Sequence, residues 1–341
     1  MIRHIIRRLA FTALVAILMI RRLSHAIRHA VMVHLVPLLL WPLGYLRSVH
    51  QIVFAWPEGP IVLGPRIALL CHFDLGGRVR PDLIEHITCL QESGFSVVLV
   101  SNSGHLSDDS LAQLRPLCAA ILVRRNIGYD FCAWRDALEY LHLPCPLTER
   151  ILLINDSIYG PVAPLAPILS RIEQTRAGVV ALTDSQQIAW HLQSYFLSFS
   201  QDALHSSAWG RFWDHVRPVP SKQWIINNCE IGLTTRFRRA GLRCTALWPV
   251  AGLLPRVETA SLEGPSQAQA QRVLDATRHN HAINPTHDLW RLLLESGFPF
   301  IKRELLRDNP SRVIDIGEWQ DVARRRGATG LDCIESDLRV A

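Results

Sequence analysis

The chain has 341 residues, 49% of them hydrophobic and 19% charged: enough apolar content for a buried core and too much for a disordered chain. Its net charge is +6, yet residues 1–57 hold seven arginines (Arg3, Arg7, Arg8, Arg21, Arg22, Arg28, Arg47) and no Asp or Glu, so residues 58–341 carry a net −1. That distribution speaks against a nucleic-acid partner and for an anionic membrane surface.

Residues 9–20 (LAFTALVAILMI) form an apolar run of 12 between paired arginines, short of the roughly 20 residues that cross a bilayer. A second run, 30–46, is interrupted by His34 and two prolines. Three readings compete: a cleaved signal peptide ending near Ser24-His25-Ala26, an interfacial or hairpin anchor held by arginines on the cytoplasmic side, and an ordinary helix packed on the domain. Arg21 and Arg22 directly after the first run count against export. The expectation is therefore an anchor over 1–57, at the cytoplasmic side of the inner (plasma) membrane, with the chain peripheral or N-terminally anchored. The eight cysteines are scattered without a C-x-x-C, and several sit in apolar runs, such as Cys71 in IALLCHF. They read as small buried hydrophobes in a reducing compartment.

From residue 66 short apolar runs alternate with amphipathic stretches. Strands are expected over 66–73, 95–100, 120–123 and 150–154, and helices over 80–93, 108–117 and 130–142. That alternation predicts an α/β fold, a mostly parallel sheet flanked by helices. Ligands of such sheets bind outside the carboxyl ends of the strands. The polar, irregular stretch 259–271 is expected to be a mobile loop.

The strand ends carry the candidate chemistry. Asp74, after the first strand, can accept hydrogen bonds from a ribose or a base edge, or cap a turn. After the third come Arg124, Arg125, Asn126, Gly128 and Asp130, with Arg135 one turn further. Two guanidiniums beside a glycine turn into a helix suit an anionic diphosphate, and equally suit a surface turn with an Arg–Asp pair. After the fourth come Asn155-Asp156-Ser157, where Asp156 can hold a divalent metal (Mn or Mg) on a diphosphate or cap a helix. His191, Gln193 and Tyr195 interleave rings with polar groups, as a sugar-binding surface or a half-buried strand would. Glu230 opens a predicted helix, where a carboxylate can take a proton from an acceptor hydroxyl or complement the helix dipole.

Read together, Asn126–Gly128, 151–157, and Glu230 followed by LTTRFRRAG (233–241) resemble the inverting glycosyltransferases of the family-2 type, which have the glycosyltransferase A fold. More specifically, RNIGYDFCAWRDAL (125–138), LLINDSIYGP (152–161), HLQSYFLSF (191–199) and NPTHDLWRLLLESGFPFIKRELLRDNP (284–310) resemble the rhamnan synthesis protein F family. The resemblance covers most of 66–340. It implies a glycosyltransferase A-like domain over 58–341, with a Rossmann-like nucleotide-sugar half (about 66–160) and an acceptor half (about 161–341). It implies that Asp74, Arg125, Asn126 and Asp130 line the nucleotide-sugar pocket, that Asp156 is the metal or diphosphate residue, and that Glu230 is the base. It also implies L-rhamnose carried on deoxythymidine diphosphate as donor, and a lipid-linked, growing cell-surface polysaccharide as acceptor. Two departures stand out: Asn155-Asp156-Ser157 lacks the outer carboxylates of an Asp-x-Asp motif, and the base is Glu rather than Asp. A non-catalytic glycan-binding or assembly protein on the same fold is the alternative.

Overall fold

The computed structural model describes residues 51–219, 221–259 and 262–340. The two apolar runs of the expected anchor, 9–20 and 30–46, lie outside the described residues. Ile52–Trp56, counted with that anchor on sequence, is instead strand β1, paired antiparallel with β4 (Ala120–Arg124). Next to β4 lie β3 (Ser96–Ser101), β2 (Arg66–His72) and β5 (Arg150–Asn155), all parallel. Past their first residues these strands are buried on both faces. That is why they read as continuous apolar runs rather than alternating ones.

The sheet continues through β9 (Phe196–Ser200), β7 (Val179–Ser185) and β10 (Cys244–Trp248), in the order β1-β4-β3-β2-β5-β9-β7-β10, with β8 (His191–Leu192) attached to β7. Six of these nine strands run one way; β1, β8 and β9 run against them. The fold is the expected mixed α/β sheet, mostly parallel and flanked by helices.

Side chains alternate between the two faces of each strand. Ala68, Leu70, Val97 and Leu99 pack against Leu83, Ile87 and Leu90 of the helix Pro81–Glu92. Ile67, Leu69, Val98 and Val100 pack on the other face against Phe131, Trp134 and Leu138 of the helix Tyr129–Tyr140. The sharp entry into that second helix needs Gly128. Its φ is 83°, and an added Cβ would collide with the Cys132 side chain.

The stretch 259–271 does not match its expectation: most of it belongs to the helix Gly264–Arg278. Pro265 opens the helix and Val273 anchors its buried face. Its buried polar residue Gln269 donates to the Asp288 carbonyl and accepts from Ile314 N–H. A polar sequence here marks internal hydrogen bonding, not a solvated loop.

Two features position the site. The chain moves outward from β2 to β3 and β4, then returns to β5 on the other side of β2, which opens a crevice at the carboxyl ends of β2 and β5. A ribbon of β6 (Ile158–Tyr159) and β11 (Ile301–Lys302) then brings the C-terminal region to the end of β5. Arg303 N–H donates to the Ser157 carbonyl at 3.0 Å.

Candidate functional site

At this switch point lies a cleft of about 820 Å³, lined by the ends of β2 and β5, the turn before β9, the segment around Glu230, and the start of the C-terminal region. Asp130, Asp156, His191, Gln193, Tyr195 and Glu230 all line it. The fold therefore gathers six of the expected site residues from positions a hundred residues apart.

Glu230 ends a five-residue π-helical stretch, Ile226–Glu230, that leads into the helix Ile231–Arg239. Such wide turns recur at functional sites because they re-aim a side chain. Thr234 of that helix accepts from Leu192 N–H at 3.0 Å, tying the helix to β8. Glu230 Oε1 accepts from Ser194 N–H at 2.8 Å and from Ser194 Oγ at 2.9 Å. Oε2 has no bond among the described residues.

His191 Nδ1 lies 2.8 Å from the Ala189 carbonyl. A donor at Nδ1 fixes the tautomer that leaves Nε2 an acceptor. Tyr195 Oη is 2.6 Å from Thr183 Oγ1, and Thr183 in turn donates to Gln193 Oε1 at 2.7 Å. Gln193 reaches Asn284, another cleft residue, at 3.3 Å. Tyr195, Thr183, Gln193 and Asn284 thus form a hydrogen-bonded wall.

Asp130 accepts from Asn155 Nδ2 at 2.7 Å. Burial, and then the charge of Asp156, push its carboxyl up to about 6. Asp156 accepts from Phe73 N–H at 3.2 Å and faces two guanidiniums, Arg303 at 3.5 Å and Arg80 at 3.7 Å.

Other expected residues are elsewhere. Arg124 is the last residue of β4 and fully buried. It donates to Asp136 from Nε and Nη2, to Asn102 Oδ1, and to the Ile127 carbonyl. Arg135 is buried too, bonded to Asp136 and the Val216 carbonyl. With their donors committed inside the domain, these two arginines hold the sheet to its helix and are not available to a diphosphate. Arg125 and Asn126 are exposed and outside the cleft lining. Gly128 shapes the turn that carries Asp130. Asp74 caps its own turn, accepting from Gly76 and Arg78 N–H at 2.9 Å each.

The cations of the cleft are Lys302, Arg303, Arg307 and Lys222, none of them singled out from sequence. Lys302 donates to Ser157 Oγ at 2.7 Å and lies 4.7 Å from the centre of the Tyr195 ring. The string PFIKRELLRDNP was visible, but no local pattern joins it to Ser157, 145 residues away.

The donors around Asp156 do not fit a divalent cation. Hard cations take several oxygens with carboxylates among them. Asp156 offers one carboxylate already facing two guanidiniums. Its chain neighbours are neutral, with Asn155 Oδ1 accepting from Ser157, and the nearby Asp130 carboxyl is raised toward its protonated form and accepts from Asn155 Nδ2. Among the described residues no three His, Cys, Asp or Glu side chains converge as a metal site.

The family profile of rhamnan synthesis protein F matches residues 97–252. The chain is 30% identical to the virulence protein VirA of Vibrio anguillarum over 229 residues, 65% of this chain and 73% of that one. The chain belongs to the rhamnan synthesis protein F family. A second relative of this family member is the uncharacterized protein y4gN of Sinorhizobium fredii, 30% identical over 175 residues, 50% of this chain and 45% of that one. Among solved structures, a mannosyltransferase from Pyrobaculum calidifontis in complex with GDP-Man and Mn2+ aligns with 92% of this chain and 89% of that one, at 14% identity and TM-score 0.34. That likeness is too loose to carry an inference about site or substrate. Rhamnan synthesis protein F membership supports a glycosyltransferase.

Proposed function

We propose that this protein transfers a sugar from a nucleoside diphosphate to a hydroxyl of a growing cell-surface polysaccharide, with inversion at the anomeric carbon. The observation that carries this reading is that one cleft holds a carboxylate with an uncommitted oxygen, Glu230, together with a group of cations. Its volume suits a nucleotide sugar. In the proposed step the acceptor hydroxyl attacks the anomeric carbon, and Glu230 takes its proton. The bond from that carbon to the diphosphate breaks, and its electron pair leaves with the diphosphate. Negative charge grows on the departing oxygen, where fixed positive charge stabilises it most. His191, Gln193 and Asn284 supply hydrogen-bonding groups for the sugars.

The family resemblance favours L-rhamnose on deoxythymidine diphosphate as donor and a lipid-linked glycan as acceptor. A lipid-linked acceptor agrees with the arginine-flanked apolar segment at the N-terminus and a cytoplasmic-side membrane position. Among the described residues no helix is long and apolar enough to cross a membrane.

The test is a panel of dTDP-, UDP- and GDP-sugars incubated with the full chain and lipid-linked glycan, with the product anomer read by NMR. One donor giving a product of inverted configuration is expected. A product that retains the donor's configuration would rule out direct displacement assisted by Glu230.

A further inference from the structure

Asn155-Asp156-Ser157 stands where an Asp-x-Asp motif would present carboxylates to a metal. The missing charges are replaced by a hydrogen-bond chain that ends on a cation. Lys302 Nζ donates to Ser157 Oγ at 2.7 Å. Ser157 donates through both its N–H and its hydroxyl to Asn155 Oδ1. Asn155 Nδ2 donates to Asp130 Oδ2 at 2.7 Å. An Asp at position 155 would set an unbonded carboxylate oxygen against Asp130. An Asp at 157 would take up the Lys302 charge in an ion pair. The neutral pair Asn155 and Ser157 instead positions the ammonium without pairing with it, and the carboxylates of Glu304, Glu230 and Asp130 act on it only from beyond ion-pair distance. A hydroxyl uses only one of the three donors of an ammonium.

The backbone fixes the same arrangement. Lys302 pairs with Ile158 across the β6–β11 ribbon, and Arg303 N–H bonds to the Ser157 carbonyl. The Tyr195 ring, 4.7 Å from Nζ, is a second support for a cation. Arg303 Nη1 donates to the Asp156 carbonyl at 3.2 Å and also faces its carboxylate. The motif's one carboxylate is thus already matched.

We propose that Lys302, aimed by Ser157 and Asn155, is the cation of this cleft that binds the donor's diphosphate in place of a divalent metal. This rests on the transferase reading. Lys302 donates a hydrogen bond to the diphosphate and stays protonated. The electron pair of the broken bond remains on the leaving oxygen, and the acceptor's proton goes to Glu230.

The experiment is isothermal titration of the full chain with dTDP, UDP and GDP, in excess EDTA and in manganese. At least one diphosphate is expected to bind with the same affinity, within about twofold, in both conditions. Lys302→Met is expected to weaken that binding by about tenfold or more, the loss of one charge-assisted contact, and Lys302→Arg to restore part of it. Thermal unfolding of each variant checks that it is folded, and the metal comparison needs only the wild-type chain. Binding that requires manganese, or that survives in a folded Lys302→Met, overturns the proposal and leaves the transferase reading standing. Failure of every diphosphate to bind in either condition overturns both.

Discussion

At the scale of single residues, three ionisable groups have sharply different duties. Arg124 and Asp136 are both fully buried, and Asp136 also accepts from Arg135. Removing one partner of a buried pair leaves a desolvated charge behind, which costs about 3–5 kcal/mol. Arg124→Met is expected to lower stability by that amount in urea denaturation, while the folded protein keeps its affinity for nucleoside diphosphate. A selective loss of affinity without loss of stability would return Arg124 to the binding site. Asp130 is a titrating group. Its carboxyl is raised from 3.8 to about 6, so the folded state holds this proton more tightly than the unfolded state does. Ionising it costs stability, progressively as pH rises from about 4 to about 6. The stability of Asp130→Asn relative to the parent should therefore rise across that window and stay level above it. A difference independent of pH would show that Asp130 is not shifted. Lys302 was hidden from local reading, because its function depends on a contact made 145 residues away.

At the scale of elements, the helix Pro81–Glu92 carries His86 into the core beside Phe300, with ring centres 4.9 Å apart. Burial pushes this imidazole down from 6.5 to about 3, and its Nε2 has no hydrogen bond among the described residues. The folded state keeps it neutral. The resulting stability is present above about pH 6.5 and is lost as pH falls toward about 3. His86→Leu should flatten the acid limb of a pH–stability curve, and an unchanged acid limb would place the sensitivity elsewhere. Strands β2 to β5 were legible in the sequence, since burial on both faces makes each a bounded apolar run. The β6–β11 ribbon was not: two-residue strands have no period to detect. Strand β4, expected over 120–123, extends to Arg124, one residue past the expected end. That single position moves its guanidinium from an expected diphosphate site into the interior. Glu230 was legible as a carboxylate before a helix. Its π-helical setting and its Ser194 partner depend on tertiary packing and gave no local signal.

At the scale of the whole molecule, one sheet collects its cleft from β2, β5, the β9 turn and a C-terminal ribbon, so the site exists only when the domain is folded. Under the proposed function, the basic N-terminal segment would bring the chain to a lipid-linked acceptor. About 1 kcal/mol of attraction per arginine near an anionic surface is enough, summed over several, for measurable binding. The full chain is expected to float with vesicles containing anionic lipid, and a chain starting at Gln51 is expected to stay behind. Equal flotation of both would move membrane contact to the folded domain. The most direct test of the account is single-turnover release of nucleoside diphosphate from the donor, with glycan acceptor present, by wild type and Glu230→Gln. Loss of a positioned general base should slow the variant by roughly 100- to 10,000-fold with donor affinity preserved. A Glu230→Gln protein that turns over at the wild-type rate would contradict the assigned chemistry.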